Sequence, residues 1–123
     1  MKTENFLKDY AAALLTYSAH EIAAFYHLPL TVYADNGILQ VTDMEEVVHF
    51  WLEGVKPYQE QGVVNAVPEI LSEEQLSKTI RTCKVLWNNF NTSGKKAGSE
   101  TNFYILSETE AGLRISGLVM MTA

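Results

Sequence analysis

The sequence has little cysteine, a shortage of basic residues and no long apolar run, and each shortage argues against a class of protein. A single cysteine, Cys83, excludes an internal disulfide and is typical of a reducing compartment. Acidic residues outnumber basic ones 15 to 9, and the resulting charge of −6 argues against nucleic acid as a partner, since phosphate binding needs a basic surface. No apolar run approaches the roughly 18 residues of a membrane span, so we expect no membrane partner.

Targeting and metal-binding signals are also missing. The first ten residues carry charged side chains where a secretion signal requires an apolar segment, so we expect a cytoplasmic protein. The three histidines, His20, His27 and His49, are well separated, and they show no His-x3-His spacing. The sequence therefore predicts no metal site and no cofactor.

The apolar residues that are present indicate one domain with helices at its start. They make up 47% of the chain, which is enough for the core of a single domain over residues 1–123. Apolar positions at helical spacing predict a first helix over about Glu4–Thr16. A second helix is predicted from Ser18, which forms a capping box with Glu21, to Pro29, because the residue before a proline is pushed out of helical space.

A hairpin and a third helix follow. Asn36-Gly37 between alternating apolar runs predicts a hairpin over Leu30–Val41, because both central residues of a type I′ turn need positive φ. The third helix is predicted to open at Thr42. Gly54 and Pro57 weaken its distal half, so we expect a bend there or a stop near Lys56.

The last third of the chain predicts strands with two partly apolar faces. A strand over Val63–Ser72 leads into three long antiparallel strands over Lys78–Asn91, Glu100–Ser107 and Gly112–Met121, joined by segments rich in turn residues. A sheet with one wet face should alternate apolar and polar residues, and these strands do not. We therefore expect helices on one face and a second copy of the chain on the other.

The predicted order of elements is α-α-β-β-α-β-β-β-β, an α+β class. With these signals the chain resembles the nuclear transport factor 2-like superfamily, in particular its SnoaL-like and ketosteroid-isomerase-like proteins. The segments that carry the resemblance are Tyr10–Leu14, Ile22–Tyr26, Leu30–Tyr33, Thr42–Trp51, Val85–Trp87, Gly94, Phe103–Leu106 and Gly112–Ile115. The resemblance implies a cystatin-like cone, in which a curved, mostly antiparallel sheet wraps around three N-terminal helices. It also implies an internal pocket and a homodimer formed through the outer sheet face.

The resemblance does not extend to ketosteroid isomerase chemistry. Those enzymes carry a tyrosine on the first helix, an aspartate base at the end of the first strand and a protonated aspartic acid on a later strand. Tyr10 matches the first position, but Ala34 stands at the second with Asp35 one residue later, and Thr101 stands about where the second acid would be. A one-residue slip turns a side chain to the other face of a strand, so we do not expect that reaction.

Three residues are candidates for acid–base catalysis, and each has a plain structural alternative. Tyr10 can donate a hydrogen bond into the pocket or can be a core tyrosine whose hydroxyl meets a backbone carbonyl. Asp35 can be a base at the pocket mouth or can stabilise the Asn-Gly turn. His49, on the third helix, can transfer protons near neutral pH or can lie at the surface.

A second group of residues can contact a ligand. Its aromatic members can line a hollow core for an apolar ligand or form a plain core, and its asparagines can orient a ligand or lie at a wet dimer rim. The group comprises Tyr33, Trp51, Trp87, Asn89, Asn102, Phe103 and Tyr104.

Two functions are open at this point. The first is a homodimeric pocket protein that binds a small, largely apolar molecule, either as a carrier or as an enzyme with isomerase- or lyase-type acid–base chemistry. The second is a non-catalytic dimerisation and protein-interaction module on the same fold.

Overall fold

Helices precede most of the strands in this computed structural model, which describes residues 1–121. The final two positions of the predicted domain, 122–123, lie outside the described residues. The elements in chain order are α1 Thr3–Leu14, α2 Ala19–Ala23, β1 Tyr26–Ala34, β2 Gly37–Val41, α3 Met44–Gly54, α4 Lys56–Glu60, β3 Val63–Gln75, β4 Ile80–Asn91, β5 Lys96–Thr109 and β6 Gly112–Met121. Apart from the separate α4, this is the predicted order, so the α+β class is confirmed.

The six strands form one curved, unclosed sheet in the spatial order β2-β1-β6-β5-β4-β3. Neighbouring strands pair antiparallel except β1 and β6, which pair parallel. Irregularities interrupt the pairing of β4 with β5 at Asn89/Phe90 and of β5 with β6 at Ile105/Leu106. Bulges of this kind bend a strand and increase its twist, which gives the sheet an inner, concave face.

The helices cover that inner face. α1 packs against β3, and α2 packs against α3. Along β4 the alternate residues Cys83, Val85 and Trp87 are buried, whereas the residues between them are only partly so. Odd-numbered residues of β4 therefore point toward the helices, and even-numbered ones point to the outer face.

The start of the sheet differs from the prediction. Ser18 caps α2 as predicted, with its hydroxyl accepting a hydrogen bond from the Glu21 amide at 3.3 Å. However, α2 ends at Ala23, and β1 begins at Tyr26, inside the segment predicted to be helical. The cause is pairing with β6, since the Ile115 amide donates to the carbonyl of Phe25 at 2.8 Å. This contact joins residues far apart in sequence, and helical periodicity does not report it.

The third helix breaks where its glycine and proline predicted. α3 ends at Gly54, and a short helix, α4, starts at Lys56 with Pro57 in its first turn, where a missing amide donor is tolerated. The N-cap is Asp43 rather than Thr42, because the Asp43 carboxylate accepts a hydrogen bond from the Glu45 amide at 2.8 Å. Strand β3 also extends three residues beyond its predicted end at Ser72, since its last residues pair with β4.

The β5–β6 pairing gives a test of this fold. A Cβ added at Gly117 would lie 2.8 Å from Ile105 Cδ1 and 3.1 Å from Ile105 Cβ, whereas one added at Gly98 would meet no atom within 4 Å. We expect Gly117→Ala to lower the free energy of unfolding by about 1–3 kcal/mol, because overpacking forces backbone shifts. Urea denaturation of both variants measures this. Equal stability of Gly117→Ala and Gly98→Ala would contradict the close approach.

Candidate functional site

The helices do not fill the concave side of the sheet, and a cavity of about 330 Å³ remains. Its walls come from α1, α3 and α4 on one side and from β1, β4, β5 and β6 on the other. The aromatic side chains in these walls are Tyr10, Tyr26, Phe50, Trp51, Tyr58, Trp87 and Tyr104. The cavity is thus an apolar space that also contains several hydroxyl groups.

Tyr10 of α1 lies at the centre of this aromatic cluster. Its side chain is buried, and its ring centroid lies 6.0 Å from that of Trp87, 6.1 Å from that of Tyr26 and 6.2 Å from that of Tyr104, each in an edge-to-face arrangement. Aromatic pairs favour this geometry because the positive edge of one ring meets the negative face of the other. The rings therefore hold each other in fixed positions around the cavity.

The hydroxyls of Tyr10 and Tyr26 form a buried pair with their oxygens 2.6 Å apart. Burial raises the pKa of Tyr26 to about 12 and raises the pKa of Tyr10 well above its usual value. The indole N–H of Trp51 is close enough to lower the Tyr26 pKa, but its Nε1 makes no hydrogen bond of normal geometry with the described residues. Both hydroxyls are therefore protonated at neutral pH. One of them donates its proton to the other oxygen, so the pair has one proton left to donate to a ligand.

A second polar group surrounds Tyr104 on β5. The Trp87 indole N–H donates to the Tyr104 hydroxyl at 2.8 Å, and the Asn102 amide donates to the same oxygen at 3.4 Å. Burial raises the pKa of Tyr104 above its usual value, although these two donors oppose the shift. The Tyr104 hydroxyl thus stays neutral, and its own proton is directed away from Trp87 and Asn102.

The only acidic side chain among the described lining residues is Glu100 of β5. Its Oε1 accepts a hydrogen bond from the hydroxyl of Tyr58 on α4. Burial, followed by the negative charge of Glu100, raises the pKa of Tyr58. Glu100 is thus the group in the cavity that can take up a proton, and the tyrosines are the groups that can donate hydrogen bonds.

The structure brings six of the predicted site residues to this cavity. They are Tyr10, Trp51, Trp87, Asn89, Asn102 and Tyr104. Asn89 is buried beside Trp87 on the inner face of β4, so its amide lies against the cavity rather than at an outer rim. Their predicted contact with a ligand stays a prediction, but their common location is a property of the fold.

Four predicted residues are placed elsewhere, so the geometry does not support the roles suggested for them. Tyr33 and Phe103 are on the outer face, because each lies opposite Val119 in the strand pairing. Asp35 is exposed in the turn between β1 and β2. His49 is exposed on α3, on the side of the helix opposite the buried Trp51 and Val47 positions.

Among the cavity-lining residues that the sequence reasoning missed, three carry ionisable side chains. Glu100 shares its strand parity with Asn102 and Tyr104, so period-two alternation places it on their face of the sheet. Tyr58 continues the apolar spacing of the third helix beyond Pro57. Tyr26 was assigned to a helix, and its place in the cavity depends on the long-range pairing of β1 with β6.

Two negative findings complete the description. Within residues 1–121, no group of three or more His, Cys, Asp or Glu side chains is placed to hold a metal ion. No helix in the same residues combines the length and apolarity that crossing a membrane requires.

Comparison with known proteins assigns the fold. A family model described as an NTF2-like protein (DUF6841) matches residues 1–123. A comparison with curated proteins found no significant match.

Solved structures with this fold have low sequence identity to the chain. A Nostoc punctiforme domain of unknown function with a cystatin-like fold has 13% identity and a TM-score of 0.72, over 98% of this chain and 75% of that one. An NTF-2 like protein of unknown function from Shewanella oneidensis has 10% identity and a TM-score of 0.72, over 94% and 92%. A ketosteroid isomerase-like protein from Erwinia carotovora has 12% identity and a TM-score of 0.65, over 98% and 94%. At these identities the similarity shows the fold alone.

The hydroxyl pair of Tyr10 and Tyr26 can be tested by a double-mutant cycle. We expect Tyr10→Phe and Tyr26→Phe each to lower the free energy of unfolding by about 1–3 kcal/mol, because each leaves one buried hydroxyl without its partner. The double variant should lose less than the sum, with a coupling of about 0.5–3 kcal/mol. Chemical denaturation measures all four proteins. Additive losses would contradict a direct hydrogen bond.

Proposed function

The chain belongs to the NTF2-like family DUF6841, and we propose that it binds a small, largely apolar molecule in the cavity between its helices and the inner face of its sheet. The observation that carries this proposal is the cavity itself, about 330 Å³ in volume, with seven aromatic side chains in its walls. Small-molecule sites occupy about 300–1,000 Å³ and combine apolar walls with a few polar groups that orient the ligand.

The polar groups in the cavity support a ligand with one polar end. Glu100, Asn102 and Asn89 lie on the sheet side, whereas Leu14, on α1, adds to the apolar wall. A molecule with an apolar body and a hydrogen-bonding end would therefore leave few polar groups without a partner, whether in the cavity wall or on the ligand. Groups left unpaired in a buried site reduce affinity, so this division favours an amphipathic ligand over a wholly apolar one.

The same groups can support acid–base chemistry of the isomerase or lyase type. The hydroxyl of the Tyr10–Tyr26 pair that is not donating to the other could stabilise negative charge on a substrate oxygen, and Glu100 could accept a proton. In this arrangement Glu100 takes the role that the sequence had suggested for Asp35. Binding without turnover requires no further group, so the pocket function stands with or without a reaction.

We also propose that two copies of the chain associate through the outer sheet face. Phe103, Ile105 and Val119 form an apolar centre on that face, and Tyr33 beside them is 40% exposed. The helices cover only the opposite face, so this apolar surface remains in contact with water in the single chain. Contiguous exposed apolar surface of this kind is typical of protein–protein contacts.

Ligand binding can be tested by blocking the cavity. Gly98 lines it, and a side chain at this position would begin in open space, so Gly98→Leu should occupy part of the cavity. We expect an apolar ligand found by thermal-shift screening to stabilise the wild-type protein by about 2.7 kcal/mol at a hundredfold its Kd. The same ligand should have little effect on Gly98→Leu.

The control adds the same apolar bulk outside the cavity. Ala12 is exposed on α1, so Ala12→Leu should respond to the ligand as the wild-type protein does. A ligand that stabilises Gly98→Leu as strongly as the wild-type protein binds elsewhere. A wild-type protein that responds to no compound in a broad apolar library would favour the non-catalytic interaction module.

Association can be tested by placing a charge on the outer face. We expect the wild-type protein to sediment as a dimer at micromolar concentration and Phe103→Glu to sediment as a monomer, because a buried, unpaired carboxylate opposes association. Leu52→Glu changes a residue that is 47% exposed on α3 and should leave the dimer intact. A monomeric wild-type protein would show that the outer face is not a dimer interface.

A further inference from the structure

The cavity contains a carboxylate that faces no positive charge. Among the described residues that line it, Glu100 is the only charged side chain, since no lysine, arginine or histidine belongs to the lining. The basic side chains engaged in ion pairs lie elsewhere: Lys8 pairs with Glu4 at 3.3 Å, Lys56 with Glu53 at 2.9 Å, and Arg81 with Glu108 at 3.1 Å. Within the described part of the chain, no side chain that lines the cavity neutralises the negative charge of Glu100.

Glu100 is held in place by its neighbour but keeps one oxygen available. Oε1 accepts the hydrogen bond from the Tyr58 hydroxyl, whereas Oε2 accepts none from the side chains of the described residues. A tyrosine hydroxyl supplies a hydrogen bond but no compensating charge. The Tyr58 contact therefore fixes the direction of the carboxylate and leaves its charge unpaired.

The other walls of the cavity attract the same kind of partner. Trp51 lies on the helix side with its ring centroid 6.4 Å from that of Tyr26, and Tyr26, Trp87 and Tyr104 line the sheet side. The face of an aromatic ring carries negative charge density, so a cation close to it is stabilised, most strongly by tryptophan. A carboxylate and several aromatic rings line one space, so charge attraction and cation–π contact can both favour a positively charged group there.

Other ligand charges fit this lining less well. A carboxylate or phosphate would meet Glu100 without any cation to offset the repulsion. A neutral alcohol could donate a hydrogen bond to Oε2, but it would bring no positive charge to the half-buried carboxylate of Glu100. Only a cationic ligand satisfies both the charge and the hydrogen-bonding capacity of the carboxylate.

We propose that the ligand of this cavity is a small apolar molecule that carries a protonated amine, with the ammonium group hydrogen-bonded to Glu100 and lying against the aromatic rings. The proposal rests on the pocket function proposed above and adds to it the chemical class of the ligand. Glu100 is then a binding residue, and Tyr58 is a positioning residue that acts through Glu100. An amine whose apolar body extends toward Tyr10 and Leu14 uses both ends of the cavity.

The test compares ligands that differ only in charge. Three apolar bodies (benzyl, cyclohexylmethyl and 2-naphthylmethyl) are each used as the amine, the alcohol and the corresponding carboxylate. Isothermal titration calorimetry at pH 7 and low salt gives the Kd of each compound for the wild-type protein. We expect the amine of a series to bind at least about tenfold more tightly than its alcohol, from a charge-assisted hydrogen bond and a cation–π contact, and the carboxylate to bind least.

A matched pair of variants links this preference to one residue. Glu100→Gln removes the charge in the cavity, whereas Glu110→Gln makes the same change in charge at the exposed turn between β5 and β6. We expect Glu100→Gln to abolish the preference for amines while it still binds the alcohols. Glu110→Gln should keep the wild-type preference. Tyr58→Phe should weaken the preference without abolishing it, because the carboxylate loses its fixed direction but keeps its charge.

The outcomes separate this proposal from the pocket function. If alcohols or carboxylates bind the wild-type protein as tightly as the amines, the proposed ligand class is wrong, and the pocket function stands. If none of the nine compounds binds, both proposals fail. A preference for amines that survives in a folded Glu100→Gln also overturns the assignment. The wild-type comparison decides the ligand class even if Glu100→Gln does not fold.

Discussion

The packing of Tyr10 against the inner face of the sheet is the contact on which the rest of this structure depends. Its buried ring lies edge-to-face with Trp87, Tyr26 and Tyr104, which belong to three different strands. One residue of α1 thereby fixes the distance between the helix layer and the curved sheet. Because rigid rings rather than flexible aliphatic chains set this distance, the space beyond them need not collapse, and a cavity can persist.

Polar groups in such a core must find partners, and their pairing shapes the site. The hydroxyls of Tyr10 and Tyr26 satisfy one another, and the hydroxyl of Tyr104 accepts from Trp87 and Asn102. Burial raises the pKa of these tyrosines, so their hydroxyls stay protonated over the whole physiological pH range. The carboxylate of Glu100 is then the only group of the described lining that carries a full charge. The cavity thus has a negatively charged site among neutral walls.

The two faces of the sheet have different surroundings. The inner face meets the helices and surrounds the cavity, while the outer face carries an apolar centre around Phe103 and Val119. Period-two alternation explains how one strand serves both, since Tyr104 and Phe103 are neighbours in sequence and point in opposite directions. A dimer through the outer face would bury that apolar centre and stiffen the strands that hold Glu100 and Asn102.

The sequence by itself determined the class and order of the elements, the Ser18 cap, the break after Gly54 and the presence of two apolar strand faces, because caps, turns and periodicity are local properties of the chain. It also selected six residues that meet at the cavity. Only the tertiary structure decided which strand parity faces inward, and so placed Tyr104 in the cavity and Phe103 outside it. Alternation assigns the residues of a strand to two opposite faces, but it does not say which face points toward the helices. The place of Tyr26 and the meeting of Glu100 with Tyr58 likewise depend on contacts between residues distant in sequence, which no local pattern encodes.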